Sequence, residues 1–340
     1  MIDDYRSGPR IRTGQSVKDR PLVTELLLAV NVLLWLALEI SGGSTDPEVL
    51  LDFGAMSAPL IAEGDYWRLF TAMFLHAGAT HILFNGLALF IFGRMVEGIF
   101  GHFRFAIVYL LAGLFGSVAS FTLNSAGVGA GASGAIFGVI GALAAYFVTN
   151  REVLGTMGRQ NLTGLLVLAG INLLFGFSVP GIDNWAHIGG LGSGFLLGIT
   201  LAPSYHYVTP IGPFQIPGSR RIDANSLARR WYVVPVALAF LFGSLWIGLA
   251  SQPETARSHV LKAERHLETG DYEGAFFEVT EALNIDRSYG EAFLVEGRAH
   301  AELGNIDLAK TALGQAFIFA RTEKSRNEAR SLFVSLSAGR

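Results

Sequence analysis

The sequence predicts an all-α polytopic membrane protein: a six-helix core, a seventh transmembrane helix and a C-terminal α-helical repeat domain. Three observations lead there. Hydrophobic residues make up 51% of the chain and charged residues only 16%, against roughly a quarter charged in ordinary soluble domains, and mean hydropathy is +0.42. Seven stretches are largely free of charge over about the 20 residues that a bilayer crossing needs. Beyond the last of them charge rises, and small residues recur at a period of 34. The net charge of −3 offers no basic surface for nucleic acid, so none is expected as a partner. The absence of cysteine rules out disulfides, thiolate metal sites and a cysteine nucleophile without naming a compartment. No cleavable signal peptide is evident, because the first apolar run begins at Pro21 and continues without an obvious cleavage site.

Residues 1–20 form a basic tail with Arg6, Arg10, Arg12, Lys18 and Arg20. The seven spans are Pro21–Ile40, His81–Ile99, Phe105–Leu123, Ser133–Thr149, Leu162–Val179, Asn184–Pro203 and Trp231–Ala250. The fourth and fifth are short, which suits little tilt or flanking loops that dip into the bilayer. Gly and Ala are frequent in the spans, as tight helix contacts in lipid require. Residues 21–203 then form the six-helix core, 204–230 a polar linker with Pro210, Pro213 and Pro217, and 231–250 the seventh helix.

Basic residues alternate between the connections. The tail, Arg94 and Arg104, Arg151 and Arg159, and Arg220, Arg221, Arg229 and Arg230 mark one side; 41–80 has only Arg68, and 124–132 and 180–183 have none. By the positive-inside rule the N-terminus and the linker are expected in the cytoplasm, and after seven crossings the C-terminal domain outside. The long connection 41–80 holds Trp67-Arg68 and the partly apolar stretch Leu69–Ala77. That content suits a loop lying in the interface rather than a disordered one.

From residue 251 to 340 the periodicity becomes that of soluble helices. At a period of 34, Gly270 pairs with Gly304, Ala275 with Ala309, Ala282 with Ala316, and Ala263 with Gly297. This resembles tetratricopeptide helical hairpins, although the pattern's Trp is missing and no Pro closes either repeat. A last helical stretch, Glu323–Leu336, is expected to cap the stack.

The chemistry centres on Ser133, in Gly131-Ala132-Ser133-Gly134, at the mouth of the fourth span. Taken alone, a serine there reads more readily as bonding its own backbone or cementing helix packing than as a nucleophile. His187, at the mouth of the sixth span, is less innocent, since ionisable groups in spans are costly and tend to face a cavity. Both sit at the same expected depth, and Gly190, Gly194 and Gly198 let their helices approach closely. A serine needs an adjacent base to become a nucleophile at neutral pH, so the pair points to nucleophilic catalysis inside the membrane. The i, i+4 spacing puts His81 and Asn85 on one face of the second span. They read as oxyanion donors beside the Ser133 N–H, or as a capping or interhelical pair. A metal held by His81 with His76 has no carboxylate or thiolate partner at ligand spacing, so neither metal nor cofactor is expected.

Together these residues resemble the rhomboid family of intramembrane serine proteases, over roughly residues 21–250. The carriers are Trp67-Arg68 in the outer loop, His81-x-x-x-Asn85, Gly131-Ala132-Ser133-Gly134, and Ala186-His187-x-x-Gly190-x-x-x-Gly194, in that order. The resemblance implies a Ser133–His187 dyad with no third acid, and an oxyanion site of His81, Asn85 and the Ser133 amide. It places at Phe137 an aromatic packed on the base imidazole; on sequence alone that ring equally faces lipid or core. Trp67 and Arg68 become structural loop residues, and the fifth span a mobile gate for substrate helices.

The expected function is an intramembrane serine endopeptidase, in a bacterial inner membrane, acting on single-pass membrane protein substrates near the outer face. Gly or Pro near the outer end of a substrate helix should ease the unwinding that cleavage needs. The C-terminal repeats are expected to bind a protein partner or self-associate. The rival readings are an inactive relative that binds membrane helices, which would be expected to lack the serine or the histidine, and a transporter. A transporter would want ionisable groups deep in several spans, whereas these hold only Glu25, Glu39, Arg94 and Glu97, mostly near ends.

Overall fold

The computed structural model describes residues 20–123, 127–179, 181–208 and 220–338. Arg6, Arg10, Arg12 and Lys18 of the tail, and Pro210, Pro213 and Pro217 of the linker, lie outside the described residues. The chain divides into two compact units, the first of residues up to Ile61 with Asp65–Ser251 and the second of Ala62–Gly64 with the residues from Gln252 on.

The first unit opens with α1 (Leu22–Ile40), followed by the short helices α2 (Pro47–Asp52), α3 (Ala58–Ala62) and α4 (Arg68–Thr71) and a 3₁₀ turn (Ala72–Phe74). Next, α5 (Ala79–Ala88), a π turn (Leu89–Gly93) and α6 (Arg94–Phe100) make one crossing. Then come α7 (His102–Leu123), α8 (Ser133–Thr149), α9 (Arg151–Ser178) and α10 (Asn184–Leu201). An antiparallel pair, β1 (Tyr205–Val208) and β2 (Arg220–Asp223), precedes α11 (Val233–Ser251). The molecule is a multi-pass, essentially all-α membrane protein.

The seven stretches that look alike in sequence separate here into two kinds. Among the described residues five helices are long and apolar enough to cross a membrane: α1, the α5–α6 crossing, α7, α9 and α11. The other two, α8 with 17 residues and α10 with 18, are not among them. For α8 the reason is where it lies. Thirteen of the 17 residues of α8 are buried, and α8 packs against α7 and α10 at the centre of the unit. A helix shielded from lipid by its neighbours needs neither full length nor full hydropathy.

The fifth span is the reverse, and longer than the sequence suggests. Its helix runs from Arg151 rather than Leu162, and is interrupted only at Gly155, where φ is +53°. Of its 28 residues only Gly158, Leu165, Ala169 and Gly176 are buried. Leu166, Val167, Ile171, Leu174, Phe175 and Phe177 are exposed, as suits a helix facing lipid.

Polar groups tie the ends of the helices opposite Ser133. Glu97 of α6 is buried and accepts the Val23 and Thr24 N–H groups at 2.9 and 2.8 Å, satisfying two orphan donors of α1, and it also pairs with His102. Arg104 of α7 bonds Asp223 and the Asn225 carbonyl (2.7 Å), while Asn225 donates to the Thr200 and Ala202 carbonyls. The described end of the linker is therefore fastened to α7 and α10. The connection 41–78 is likewise built rather than slack. Arg68 donates to the Leu51 and Ala55 carbonyls (2.6 and 3.2 Å) and to Asp65 (3.0 Å), with its guanidinium 4.6 Å from the Trp67 ring centroid.

The second unit holds α12 (Ala256–Glu268), α13 (Tyr272–Ile285), α14 (Gly290–Glu302), α15 (Ile306–Phe319) and α16 (Glu323–Ala338). Ala256 and Gly290 open the first helix of each hairpin and Tyr272 and Ile306 the second, 34 residues apart in both cases. Gly270 and Gly304 take φ of +76° and +77° just past their helices, which glycine does without strain. Ala263, Ala275, Ala282, Ala309 and Ala316 are all buried, and a Cβ on Gly297 would strike Leu313. The periodic small residues are where the helices approach.

Candidate active site

The start of α8 is set by the segment before it. Gly129 exchanges two backbone hydrogen bonds with Met56 (2.7 and 2.9 Å), and the Gly131 N–H donates to the Ala72 carbonyl at 2.9 Å. Gly131 has φ +145°, a region that side chains rarely adopt. Ala132, the N-cap, has no side-chain oxygen, and α8 begins at Ser133 without a side-chain cap. Among the described residues no side-chain cap meets the N–H groups of its first turn, which lie at the positive end of the helix dipole.

His187 is placed by α10 in the same way. The Asp183 side chain accepts the Ala186 N–H at 3.0 Å, and the Asp183 carbonyl accepts the His187 N–H at 3.3 Å. His187 is buried in the first turn, and its ring stacks on Phe137 with centroids 4.3 Å apart and planes 10° from parallel.

Glycines bring the two helices together. A Cβ on Gly190 would overlap the Gly134 backbone, one on Gly194 the Gly138 backbone, and one on Gly141 the Leu191 carbonyl. A Cβ on Gly134 would lie 3.3 Å from the Ala186 carbonyl. Ser133 and His187 therefore flank the contact between Gly134 and Ala186. Among the described residues no hydrogen bond joins the two side chains, and His187 Nδ1 is buried without a partner. Catalytic hydrogen bonds are often long before substrate binds.

His81 and Asn85 converge on the same loop. A Cβ on Gly131 would lie 2.9 Å from His81 Nε2 and 3.7 Å from Asn85 Nδ2, so both side chains face the backbone leading into Ser133. Asn85 Nδ2 is buried with no acceptor. His76 is completely buried, with its ring edge-on to His81 at 5.2 Å between centroids. A cavity of about 40 Å³, room for a water, is lined by Ser133, Gly134, Gly113, Ser117, Asp183 and Ala186 among others.

The structure thus gathers Ser133, His187, Phe137, His81, Asn85, Gly131, Gly134, Gly190 and Gly194 in one place. Trp67 and Arg68 belong to the loop described above, not to the reacting centre. Sequence reasoning missed Asp183, whose Oδ2 bonds the Ser120 hydroxyl of α7. The available signal was an aspartate at the N-cap position ahead of the sixth span. It also missed Asn184, which is buried and donates to the Leu173 carbonyl of α9 at 3.2 Å.

The Rhomboid domain model matches residues 63–204. The chain is 39% identical over 302 residues to rhomboid protease GluP of Bacillus subtilis, covering 87% of this chain and 54% of that protein. It is 34% identical over 182 residues to the putative rhomboid protease YdcA of the same organism, covering 52% of this chain and 86% of YdcA. RHOMBOID-like protein 1 of Arabidopsis thaliana is 40% identical over 157 residues, 45% of this chain and 40% of that protein. The chain thus spans about half the length of GluP and less of the plant protein.

Proposed function

The chain belongs to the rhomboid family, and from that premise we propose that it is an intramembrane serine endopeptidase using a Ser133–His187 dyad. Its substrates are transmembrane helices, cut near the outer membrane face. The observation that carries this reading is the glycine contact between α8 and α10, which sets a serine and a stacked, buried imidazole side by side at the mouths of two central helices.

The chemistry follows from the groups present. Ser133 Oγ attacks the scissile carbonyl carbon while His187 takes its proton. Nδ1 is enclosed, so Nε2 is the nitrogen for this task. The charge that develops on the carbonyl oxygen meets the Ser133 N–H, the unpaired Asn85 amide and the His81 ring. Collapse of the tetrahedral intermediate breaks the C–N bond, and His187 returns its proton to the leaving amine. Water then attacks the acyl-enzyme with His187 again as base. Phe137 holds the imidazole plane throughout. α9, with only four of its 28 residues buried and Leu173 bonded to Asn184 at the start of α10, is the helix beside the site whose displacement would admit a substrate.

Labelling by a fluorophosphonate probe tests the reading. The purified protein is expected to take up the probe at Ser133; an unlabelled but folded protein would favour an inactive helix-binding relative. The oxyanion assignment has its own test. His81→Ala and Asn85→Ala are each expected to slow acylation by up to about 10²–10³-fold, the cost of one oxyanion donor. Substrate binding should change much less. Normal turnover in the double variant would return the pair to a packing role.

We place the N-terminus in the cytoplasm of a bacterial cell and the second unit across the inner membrane, on the distribution of arginines between connections. A reporter fused after Arg340 is expected to be active only outside the cytoplasm, and cytoplasmic activity would refute this topology. We read the second unit as tetratricopeptide-like, a stacked-hairpin surface suited to a protein partner or to self-association.

A further inference from the structure

We infer that Asp183 is a positioning residue for the base: it fixes the first turn of α10 and supplies the negative charge that compensates His187 when the ring takes up the serine proton. The inference rests on the Ser133–His187 reading above. Asp183 is engaged through three oxygens. Oδ1 accepts the Ala186 N–H, the backbone carbonyl accepts the N–H of His187 itself, and Oδ2 is bonded to the Ser120 hydroxyl on α7. The residue therefore sets both the height of α10 against α7 and the place of the histidine on it. Being an N-cap, it also puts a carboxylate where the helix dipole favours one.

The charge argument is separate from the tether. His187 Nδ1 is enclosed without a partner, so no hydrogen-bonded acid steadies the imidazolium that forms during attack. Two ionisable groups of the site bear on the ring: Asp183, four residues before it at the N-cap of the same helix, and His81 of α5, which faces the loop leading into Ser133. Phe137 of α8 stacks on the ring, and Ser120 of α7 and Gly134 of α8 meet its neighbours Asp183 and Ala186; none of the three is charged. Arg151, Glu152 and Arg159 of α9 lie in the other half of that helix. Of the groups acting on the ring, only Asp183 can oppose a positive charge there. Fixed charges in a site shielded from water act strongly and need no reorganisation at the moment of reaction. Asp183 also lines the cavity that Ser133 lines.

Asp183→Asn separates the two roles, because asparagine caps a helix as well as aspartate: its Oδ1 still accepts the Ala186 N–H, and its Nδ2 donates to the Ser120 hydroxyl, which rotates to accept. The purified full chain in proteoliposomes would be assayed on a transmembrane-helix substrate across pH. Asp183→Asn is expected to unfold like the wild type and to hold KM within about twofold while kcat falls about tenfold. The acidic limb of its kcat/KM profile should move to lower pH, since the base no longer has a negative neighbour. Ser120→Ala, which frees the carboxylate from α7 but keeps its charge, should lower kcat less and leave that limb in place. Wild-type kcat and an unmoved limb in Asp183→Asn would overturn the inference. Failure of Asp183→Asn to accumulate would also overturn it, in favour of a charge needed only for folding. Absence of Ser133-dependent cleavage in the wild type would instead refute the dyad itself.

Discussion

Ser133→Ala is expected to abolish cleavage of a transmembrane-helix substrate, and His187→Ala to come close to doing so. The loss in kcat should be on the order of 10⁵–10⁶-fold, as when either member of a serine–histidine unit is removed from a soluble protease. Neither loss should come from unfolding. Ser133 is the first residue of α8, where its side chain caps nothing. His187→Ala removes a buried ring stacked on Phe137 and should cost some stability, so its unfolding midpoint must be measured beside its activity. The two variants also differ in labelling: a fluorophosphonate needs the serine oxygen, so Ser133→Ala should take up none. Cleavage that persisted in purified Ser133→Ala would place the nucleophile elsewhere.

The second large effect is structural. Gly194→Val is expected to destabilise the first unit by upwards of about 3 kcal/mol, at or beyond the usual cost of overpacking a core. A Cβ at this position would meet the backbone of Gly138, which cannot rotate away as a side chain would. The only relief is to push α10 off α8, which also separates Phe137 and His187. Gly192 on the same helix is the internal control, because nothing lies within 4 Å of a Cβ built there. Gly192→Ala should be neutral or stabilising by about 0.5–1 kcal/mol through helix propensity. Equal unfolding midpoints for Gly194→Val and Gly192→Ala in detergent would contradict the close-packing account.

The residues of the candidate site were legible because their types are conspicuous against lipid. A serine between glycines and histidines at the mouths of apolar runs are costly in a membrane unless something uses them, so Ser133, His187 and His81 stand out in one dimension. Asn85 followed from the helical period alone. Asp183 did not stand out, because an aspartate ahead of a helix has a sufficient local reason in capping. Its bond to Ser120 joins residues 63 positions apart and leaves no trace in local pattern.

For the fold, the sequence by itself determined the class and the number of apolar stretches, because the bilayer imposes length and hydropathy on any segment that faces it. It also determined the 34-residue repeat of the second unit, since small residues must recur wherever helices of successive hairpins touch. Only the tertiary structure decided which helices are interior. α8 falls short of a full span in one dimension because its neighbours, not its own side chains, keep it from lipid. Only the tertiary structure set the Phe137 ring flat on His187 and turned His81 and Asn85 toward Gly131. Those placements depend on rotamers and on the closest approach of backbones, which are settled by packing in three dimensions and not by the order of residues along the chain.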